Sequence, residues 1–267
     1  MKTRAITGII FVAVMLASIL LGSYLFTVFF LLLAILATDE FFRLVRSVVR
    51  PQRFAGYILA AVIFTAIAYH YLYGGSPAWL LAAVPVLTWM YIAELYRNLP
   101  NPFHNIAYTV FGVLYAAVPF CFFFAMAFPG GEYTSLFPLA FLVMLWSSDT
   151  GAYLFGSKWG KHKLFERHSP KKTWEGFFGG LLVSGIAAVI FSRYYEDLSI
   201  AGWIGMSVII VTIGTLGDLT ESMLKRSLSA KDSGSLLPGH GGVLDRFDGL
   251  LLSAPVVFVY LQLLRLL

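Results

Sequence analysis

Long apolar runs follow one another along nearly the whole chain, and they constrain its fold more than any other feature of the sequence. A helix of about 20 apolar residues can cross the hydrocarbon core of a bilayer, because it satisfies its backbone hydrogen bonds internally. Only 12% of the 267 residues are charged, whereas a soluble domain carries roughly a quarter. The sequence therefore predicts an all-α, polytopic integral membrane protein.

The apolar runs divide into about nine predicted transmembrane helices. Their ranges are 5–21, 23–38, 54–73, 78–96, 105–128, 135–156, 174–193, 200–224 and 243–266. Segments rich in glycine and proline separate several of them, among them GGSP at 74–77 and PGG at 129–131. The first run follows Lys2 and Arg4, as the apolar part of a signal peptide does. No convincing small-residue cleavage pattern follows it, so we expect an uncleaved span.

Lysine and arginine are distributed asymmetrically among the connections. They precede the first predicted span and follow the second, fourth, sixth and eighth, whereas the connections near Gly22, Gly74 and Glu132 contain neither. By the positive-inside rule, the N-terminus and every basic loop are predicted to be cytoplasmic, and the C-terminus is predicted to lie outside. An odd number of spans agrees with this orientation.

A dense polar segment, residues 217–249, lies near the C-terminal end of the chain. Its carboxylates are those of Asp218, Glu221, Asp232, Asp245 and Asp248. A charge inside an apolar segment costs about 2.5–3.5 kcal/mol on insertion scales, and two carboxylates about 4 Å apart repel by roughly 4 kcal/mol at an effective dielectric of 20. A divalent cation would remove both penalties. Oxygen ligands without a cysteine–histidine cluster favour Mg²⁺ over Zn²⁺.

Basic side chains accompany these carboxylates. Lys225 and Arg226 follow Asp218 at the end of the eighth predicted span, and Lys231 and Arg246 come later in the same segment. Charge-assisted hydrogen bonds from such groups are well suited to phosphate oxygens. The combination of carboxylates and cations therefore indicates a site for a phosphate-bearing ligand with a divalent cation.

Glycines precede the last predicted helix. Gly239, Gly241 and Gly242 permit backbone conformations closed to other residues and let a ligand approach the chain. The free amides at the start of the following helix attract anions. His240 has three open roles: phosphate donor, structural hydrogen bonder, or general base. We favour the first two, because an attacking group that is already anionic needs no base.

A second polar connection follows the sixth predicted span. Asp149 comes soon after the apolar sequence FLVMLW, and a carboxylate at membrane depth is a functional candidate, although a hydrogen-bonded helix breaker is the alternative. Thr173 and Glu175 fit the cap and first turn of the next helix. Lys171 and Lys172 do not, because a helix N-terminus disfavours cations. An anionic ligand at this helix end would explain them.

Elsewhere we prefer structural interpretations. Asp39 and Glu40 lie near the end of the second predicted span beside Arg43 and Arg46, so we expect local ion pairs at the membrane interface. Isolated polar residues to which we assign no catalytic role are His70, Glu94 and His104. Cys121 lies in an apolar run and is expected to be an inert, packed thiol.

Taken together, these motifs resemble the CDP-diacylglycerol synthases, also called phosphatidate cytidylyltransferases. The C-terminal signature of that family has a serine, then Lys-Arg, Lys-Asp, Pro-x-His-Gly-Gly and Asp-Arg-x-Asp at set spacing. The corresponding residues here are Ser222, Lys225-Arg226, Lys231-Asp232, Pro238-Gly239-His240-Gly241-Gly242 and Asp245-Arg246-Phe247-Asp248. The segments SDTGAY and SPKKTWEG, which begin at Ser148 and Ser169, are also similar to those of the family. The matching motifs cover about a quarter of the chain.

The resemblance implies that the cytidylyl group of CTP is transferred to phosphatidate, giving CDP-diacylglycerol and pyrophosphate. It implies Mg²⁺ as the cofactor, with a second metal ion left open, and Asp218, Asp245 and Asp248 as the metal ligands. The implied catalytic residues are these three aspartates together with Lys225 and Arg226. The residues implied in substrate binding are Lys231, His240, Gly241, Gly242, Arg246, Asp149, Ser169, Lys171, Lys172 and Ser222.

The implied partners are CTP, phosphatidate and membrane lipids, without nucleic acid, and a homodimer is left open. The expected location is the cell membrane, with several spans and an active site that faces the cytoplasm. We divide the chain into N-terminal transmembrane helices, 1–130, and a catalytic transmembrane region, 131–267. The predicted cytoplasmic loops of the catalytic region are 157–173 and 225–244.

Three other functions compete with this one. A CDP-alcohol phosphotransferase shares the Asp-x-x-Asp-Gly pattern of Asp245 to Gly249, but its motif continues with an Ala-Arg pair and two spaced aspartates, whereas this chain continues LLLSAPVVF. A CTP-dependent polyprenol or phytol kinase would transfer the γ-phosphate and release CDP. A transporter would also carry polar residues at membrane depth, but the polar groups here gather on one predicted side, and no carrier-like repeat is visible.

Overall fold

The structure, a computed structural model, describes residues 2–234 and 241–266, and the side chains of residues 7–234 and 241–265. The helices are α1 (Lys2–Leu20), α2 (Ser23–Leu44), α3 (Arg53–Tyr73), α4 (Ala83–Arg97), α5 (Pro102–Ala116), α6 (Val118–Ala125), α7 (Leu136–Trp159), α8 (Trp174–Tyr194), α9 (Ile200–Ser227) and α10 (Leu244–Leu266). Two strands, β1 (Lys163–Phe165) and β2 (Ser169–Thr173), lie between α7 and α8, and short 3₁₀ turns span Val45–Ser47 and Pro77–Ala82.

Eight helical segments in the described part of the chain are long and apolar enough to cross a membrane. This confirms the prediction of an all-α protein with several membrane spans. The first predicted span, 5–21, lies in α1, whose described apolar part, Thr7–Leu20, is shorter than the other eight segments. The orientation of the termini stays a prediction.

The predicted span 105–128 is interrupted. Helix α5 ends at Ala116, and α6 begins at Val118, so Ala117 separates two helices within one apolar segment. Pro119 lies in the first turn of α6, where its missing N–H costs nothing, because the first amides of a helix have no partner within it. The break therefore follows from Pro119, which does not change the apolar composition of this run.

The chain forms two compact units. The N-terminal unit comprises Met1–Ser135 and Ser227–Arg246, and the C-terminal unit comprises Leu136–Arg226 and Phe247–Leu267. This division rests on compactness alone, so the predicted functional division into 1–130 and 131–267 stays a prediction.

Aromatic side chains fill the core of the N-terminal unit. Phe26 of α2 stacks on Phe124 of α6 with ring centroids 5.6 Å apart, and Phe64 of α3 approaches the same ring at 5.4 Å. Phe30 and Phe123 lie 4.9 Å apart, and all five rings are buried. Because lipid is as apolar as these side chains, close packing rather than exclusion of water holds such helices together.

A buried polar network joins three helices of the same unit. Glu94 of α4 is only 5% exposed, and its carboxylate accepts hydrogen bonds from Gln52 at 2.6 Å and from Asn105 at 2.8 Å. Arg97 pairs with it at 2.7 Å. The sequence indicated that Glu94 is isolated, but the structure gives it three partners. Its partners indicate that it links these segments structurally.

The C-terminal unit packs through small residues and a central tryptophan. Trp203 of α9 is fully buried between Phe137 of α7 and Phe191 of α8, at ring-centroid distances of 5.7 and 5.4 Å. The hydroxyl of Ser207 donates a hydrogen bond to that of Ser184 at 2.9 Å, which links α9 to α8. Interhelical contacts of this kind are typical of membrane helices.

A short antiparallel hairpin joins α7 to α8. Lys163 pairs with Thr173 and Phe165 with Ser169, with an irregularity between the two pairs. The sequence does not predict this hairpin, because its charged residues lack the alternation of apolar and polar side chains that marks a half-buried strand. The predicted loop 157–173 is thus the end of α7 followed by the hairpin.

Candidate active site

Three carboxylates and a lysine come together in the C-terminal unit. Asp149 lies on α7, Asp218 on α9 and Asp248 on α10, while Lys172 lies on β2. The Nζ atom of Lys172 is 2.6 Å from Oδ2 of Asp218. Asp149 and Asp248 are both close enough to interact electrostatically with Asp218 and with Lys172. We call these four residues the acidic cluster.

The close approach of α9 and α10 places two of the aspartates side by side. A Cβ atom added to Gly217 would overlap the carbonyl oxygen of Asp248, and Gly214, one turn earlier, faces Gly249 at ordinary contact distance. Only glycine at position 217 lets the two backbones meet in this way. Asp218 follows that glycine directly, so its carboxylate is brought to the side of Asp248.

The hairpin explains why the two adjacent lysines differ. Successive side chains on a strand point to opposite faces. Lys172 is half-buried, pairs with Asp218 and reaches to 3.5 Å from the carbonyl oxygen of Thr215, whereas Lys171 is exposed. The hydroxyl of Thr173 accepts a hydrogen bond from the amide of Gly176 at 3.2 Å, so the predicted helix cap is confirmed.

The last turns of α9 hold the next predicted site residues. Lys225 pairs with Glu221 at 2.7 Å, and Glu221 is only 1% exposed. The hydroxyl of Ser222 donates a hydrogen bond to Asp218 at 3.3 Å. Arg226 is exposed at the same helix end. The predicted helical face of Asp218, Glu221 and Lys225 is therefore present, with a buried ion pair one turn from the acidic cluster.

The donor set of the acidic cluster suits a hard divalent cation. Its carboxylates outnumber its ammonium group by three to one, and carboxylate oxygens are the ligands that Mg²⁺ prefers. The three carboxylates lie near one another without forming a ready metal-binding group, and no other set of acidic, histidine or cysteine side chains within residues 2–234 and 241–266 forms one. Because Asp218 is engaged by Lys172, a cation bound there would compete with that ion pair.

Asp245, the third predicted metal ligand, belongs to the N-terminal unit. Its Oδ2 atom accepts hydrogen bonds from the amide of Ser233 at 3.0 Å and from the amide of Gly242 at 2.9 Å. Gly241 has a φ of 82°, which favours glycine, and a Cβ atom there would lie 2.5 Å from Oδ2 of Asp245. Residues 233–234 and 241–243, which we call the turn before α10, thus lie closely around this carboxylate.

Glu40 contacts the same turn, so the prediction that it forms a local ion pair is wrong. Its carboxylate accepts hydrogen bonds from the amide of Val243 at 2.6 Å and from the hydroxyl of Ser233. The neighbouring Asp39 does form an expected local pair, with Arg43 at 2.7 Å, and it also pairs with Arg53.

A signal in the sequence distinguishes the two acids. The residues four positions before and after Glu40 are Leu36 and Leu44, so Glu40 lies on an apolar stripe of α2, whereas Asp39 has Arg43 one turn on. An acid on an apolar stripe indicates a distant polar partner.

The remaining predicted site residues are placed as follows. Lys231 and Arg246 are exposed, and Ser169 is half-buried on β2. Pro238, Gly239 and His240 lie outside the described residues. The structure therefore brings together Asp149, Lys172, Asp218 and Asp248 in the C-terminal unit, and Asp245 with Gly242 in the N-terminal unit.

Comparison with known proteins decides the family. Residues 2–264 match the model of the cytidylyltransferase family. The chain belongs to this family. It is 35% identical to proteins named phosphatidate cytidylyltransferase from Staphylococcus aureus (strain COL) and Staphylococcus epidermidis (strain ATCC 12228 / FDA PCI 1200), over 98% of this chain and 99% of each relative. The relative of the same name from Staphylococcus haemolyticus (strain JCSC1435) shows the same identity and coverage. The family resemblance inferred from a quarter of the chain is thus confirmed over nearly all of it.

Proposed function

We propose that this chain transfers the cytidylyl group of CTP to phosphatidate, which yields CDP-diacylglycerol and pyrophosphate. The observation that carries the proposal is the acidic cluster. It unites residues from the segments SDTGAY, SPKKTWEG and the C-terminal signature, which are far apart in the sequence. Relatives named for this activity match the chain from end to end.

The reaction is a displacement at phosphorus. An anionic oxygen of the phosphatidate phosphate forms a bond to the α-phosphorus of CTP, and the bond from that phosphorus to the bridging oxygen of the β-phosphate breaks. The electron pair leaves with pyrophosphate, so no side chain needs to remove a proton from the attacking group. The task of the protein is to hold two polyanions in line and to stabilise the charge that builds up between them.

The basic residues are suited to that task. Lys172 already lies among the carboxylates. On substrate binding, its ammonium group would leave Asp218 and donate a hydrogen bond to a phosphate oxygen. Lys225 and Arg226 extend the positive charge along the end of α9, where the buried Glu221 holds Lys225 in place. We assign these three residues to the phosphates of the substrates.

We further propose Mg²⁺ as the cofactor, held by Asp218 and Asp248. The excess of carboxylates in the acidic cluster and their oxygen chemistry support this assignment. When bound, Mg²⁺ supplies positive charge to the phosphate oxygens of CTP and to the pyrophosphate leaving group. Asp245 stays a ligand that the sequence predicts.

A lipid substrate and a soluble nucleotide must meet at the membrane surface. We therefore propose that the basic connections face the cytoplasm, where CTP is available, and that phosphatidate enters from the bilayer. The concentration of lysine and arginine in alternate connections supports this orientation.

Product analysis with two labels tests the reaction. Purified protein in detergent with phosphatidate and Mg²⁺ receives CTP labelled at either the α- or the γ-phosphorus. We expect the α-label in the lipid product and the γ-label in pyrophosphate. A γ-label in the lipid, with release of CDP, would instead identify a kinase. No turnover with either label, while the Mg²⁺-loaded protein stays folded, would contradict the proposal.

Cysteine labelling in intact cells tests the orientation. Single cysteines replace Ser157, at the exposed end of α7, or the exposed Gly130, in a Cys121→Ser background. A membrane-impermeant thiol reagent should label the cysteine at position 130 and spare that at position 157 until the cells are opened. Labelling of position 157 from outside would overturn the proposed access to CTP.

A further inference from the structure

We propose that Glu40 of α2 is a positioning residue for the reaction proposed above. In this proposal its carboxylate anchors the turn before α10 and thereby holds Asp245 in its working conformation. The inference rests on the proposed function for its catalytic consequence, although the anchoring itself can be measured without any substrate.

The contacts of Glu40 with the turn are direct. Oε2 accepts a hydrogen bond from the amide of Val243 at 2.6 Å, and Oε1 accepts one from the hydroxyl of Ser233. Glu40 and Ser233 are each only 5% exposed, and Val243 is buried as well. A buried carboxylate that loses its donors carries a large desolvation penalty, so these contacts restrain the turn strongly.

The backbone around the carboxylate leaves space for it. A Cβ atom added to Gly234 would lie 2.9 Å from Cδ of Glu40, and one added to Gly242 would overlap Oε1. Two glycines, Gly234 and Gly242, therefore border the same carboxylate. This arrangement makes Glu40 part of the turn, although it lies 203 residues before Val243.

Glu40 also accepts a backbone amide at the start of α10. The first amides of a helix lack partners within the helix and attract negative charge. Val243, directly before α10, has an apolar side chain and cannot cap that helix. The carboxylate of Glu40 accepts the amide of Val243, so α2 is hydrogen-bonded to the residue directly before α10.

Ser233 links Glu40 to Asp245. Its hydroxyl donates to Glu40, while its amide donates to Oδ2 of Asp245 at 3.0 Å. Gly242 is shared in the same way, because its amide donates to Asp245 at 2.9 Å and its Cα borders Glu40. A shift of Glu40 therefore displaces both residues that hold Asp245. Glu40 acts through these partners and needs no contact with substrate.

The test compares Glu40→Gln with Asp39→Asn. Both changes remove one negative charge from the same end of α2, but Asp39 pairs with Arg43 and Arg53 and not with the turn. In Glu40→Gln, we expect kcat/KM for CTP to fall about ten- to a hundredfold, as for the loss of a hydrogen bond to a charged group. Asp39→Asn should stay within about threefold of the wild type.

Two further measurements separate positioning from a general loss of stability. The Mg²⁺ concentration that gives half-maximal rate should rise about tenfold or more in Glu40→Gln, since the change displaces Asp245, which the sequence predicts as a further metal ligand. In the absence of substrate and Mg²⁺, trypsin should cut after the exposed Lys231 about tenfold faster, because the turn opens locally. Asp39→Asn should leave both quantities unchanged, and Glu40→Asp, which keeps the charge, should fall between Glu40→Gln and the wild type.

Wild-type Mg²⁺ dependence and wild-type trypsin cleavage in a folded Glu40→Gln protein would overturn the proposal, as would equal effects in Asp39→Asn. If Glu40→Gln does not fold, Ser233→Ala carries the test, because it removes only the shared hydroxyl. Ser233→Ala should then show the same changes at several-fold size, and wild-type behaviour would contradict the proposal. If the wild-type protein transfers no cytidylyl group, the proposed function is refuted. The trypsin measurement would still show whether Glu40 anchors the turn.

Discussion

The two units use acidic side chains in different ways. In the C-terminal unit, the carboxylates of Asp149, Asp218 and Asp248 lie near one another and near Lys172. In the N-terminal unit, Glu40 and Asp245 accept hydrogen bonds from backbone amides. Both groups consist of carboxylates, but their partners give them different roles. Carboxylates that meet N–H donors fix a backbone, and carboxylates that meet other carboxylates keep unbalanced charge that a cation can neutralise. The partners of an acidic side chain, more than its type, therefore indicate its role.

The largest expected effect comes from the acidic cluster. Asp218→Asn and Asp248→Asn each remove a proposed Mg²⁺ ligand, and the loss of several kcal/mol of transition-state stabilisation should lower kcat by about a thousandfold or more. Initial rates with labelled CTP in detergent measure this. Chelation should stop the wild-type enzyme, and added Mg²⁺ should restore it.

Asp197→Asn is the matched control for these two variants, because Asp197 is an exposed aspartate of the same unit. It should keep wild-type activity. Wild-type rates in Asp218→Asn or Asp248→Asn would remove that residue from the proposed metal site and would weaken the contrast between the two groups of carboxylates.

The approach of α9 to α10 supplies the next test. Gly217→Ala would place a methyl group onto the backbone of Asp248, so one helix must move, at a cost of about 1–3 kcal/mol for an overpacked contact. We expect kcat to fall about tenfold or more, because Asp218 and Asp248 shift with their helices, and the Tm in detergent to fall. Gly214→Ala, one turn earlier and at ordinary contact distances, should change both quantities little. Equal behaviour of the two variants would show that the backbone approach does not hold the cluster.

The two lysines of the hairpin give a smaller and sharper contrast. Lys172→Gln removes the cation paired with Asp218, and the loss of a charge-assisted contact to a substrate phosphate should lower kcat/KM about ten- to a hundredfold. Lys171→Gln, on the exposed face of β2, should stay within about threefold. Steady-state rates with CTP and phosphatidate varied separately show which substrate each lysine serves. Similar losses in both variants would mean that the opposite orientations of the two side chains on β2 do not give them different roles.

The smallest expected effect concerns the cap of α8. Thr173→Ala removes the hydroxyl that accepts the amide of Gly176, which should lower the free energy of unfolding by about 1 kcal/mol. Thermal unfolding in detergent measures the change, with Thr212→Ala as the control. Thr212 donates to the carbonyl oxygens of Val208 and Ile209 within its own helix α9 and caps no helix, so its loss should be nearly neutral. A Thr173→Ala protein as stable as the wild type would leave α8 without a functional cap.

Much of the fold follows from composition, because a bilayer restricts its spanning segments to long apolar helices. In the described part of the chain, eight of the nine predicted spans correspond to helical segments of sufficient length and apolar character, and the first corresponds to α1, whose side chains are described from Thr7 onward. The hairpin before α8 and the break at Ala117 were missed. The hairpin has no alternation of apolar and polar residues. The break is marked only by Pro119, which leaves the run apolar, so neither feature alters the hydropathy pattern on which the prediction depended.

By itself, the sequence determined the class of protein, the family, and the residue types that suit phosphate and a divalent cation, because these depend on composition and on local spacing. Only the tertiary structure decided that Lys172 rather than Lys171 meets Asp218, that Asp149 and Asp248 join them, and that Glu40 holds the turn before α10. These facts depend on which way a side chain points and on contacts between distant segments, up to 203 residues apart. A helical or strand pattern cannot encode them, since it describes neighbours along the chain and not neighbours in space.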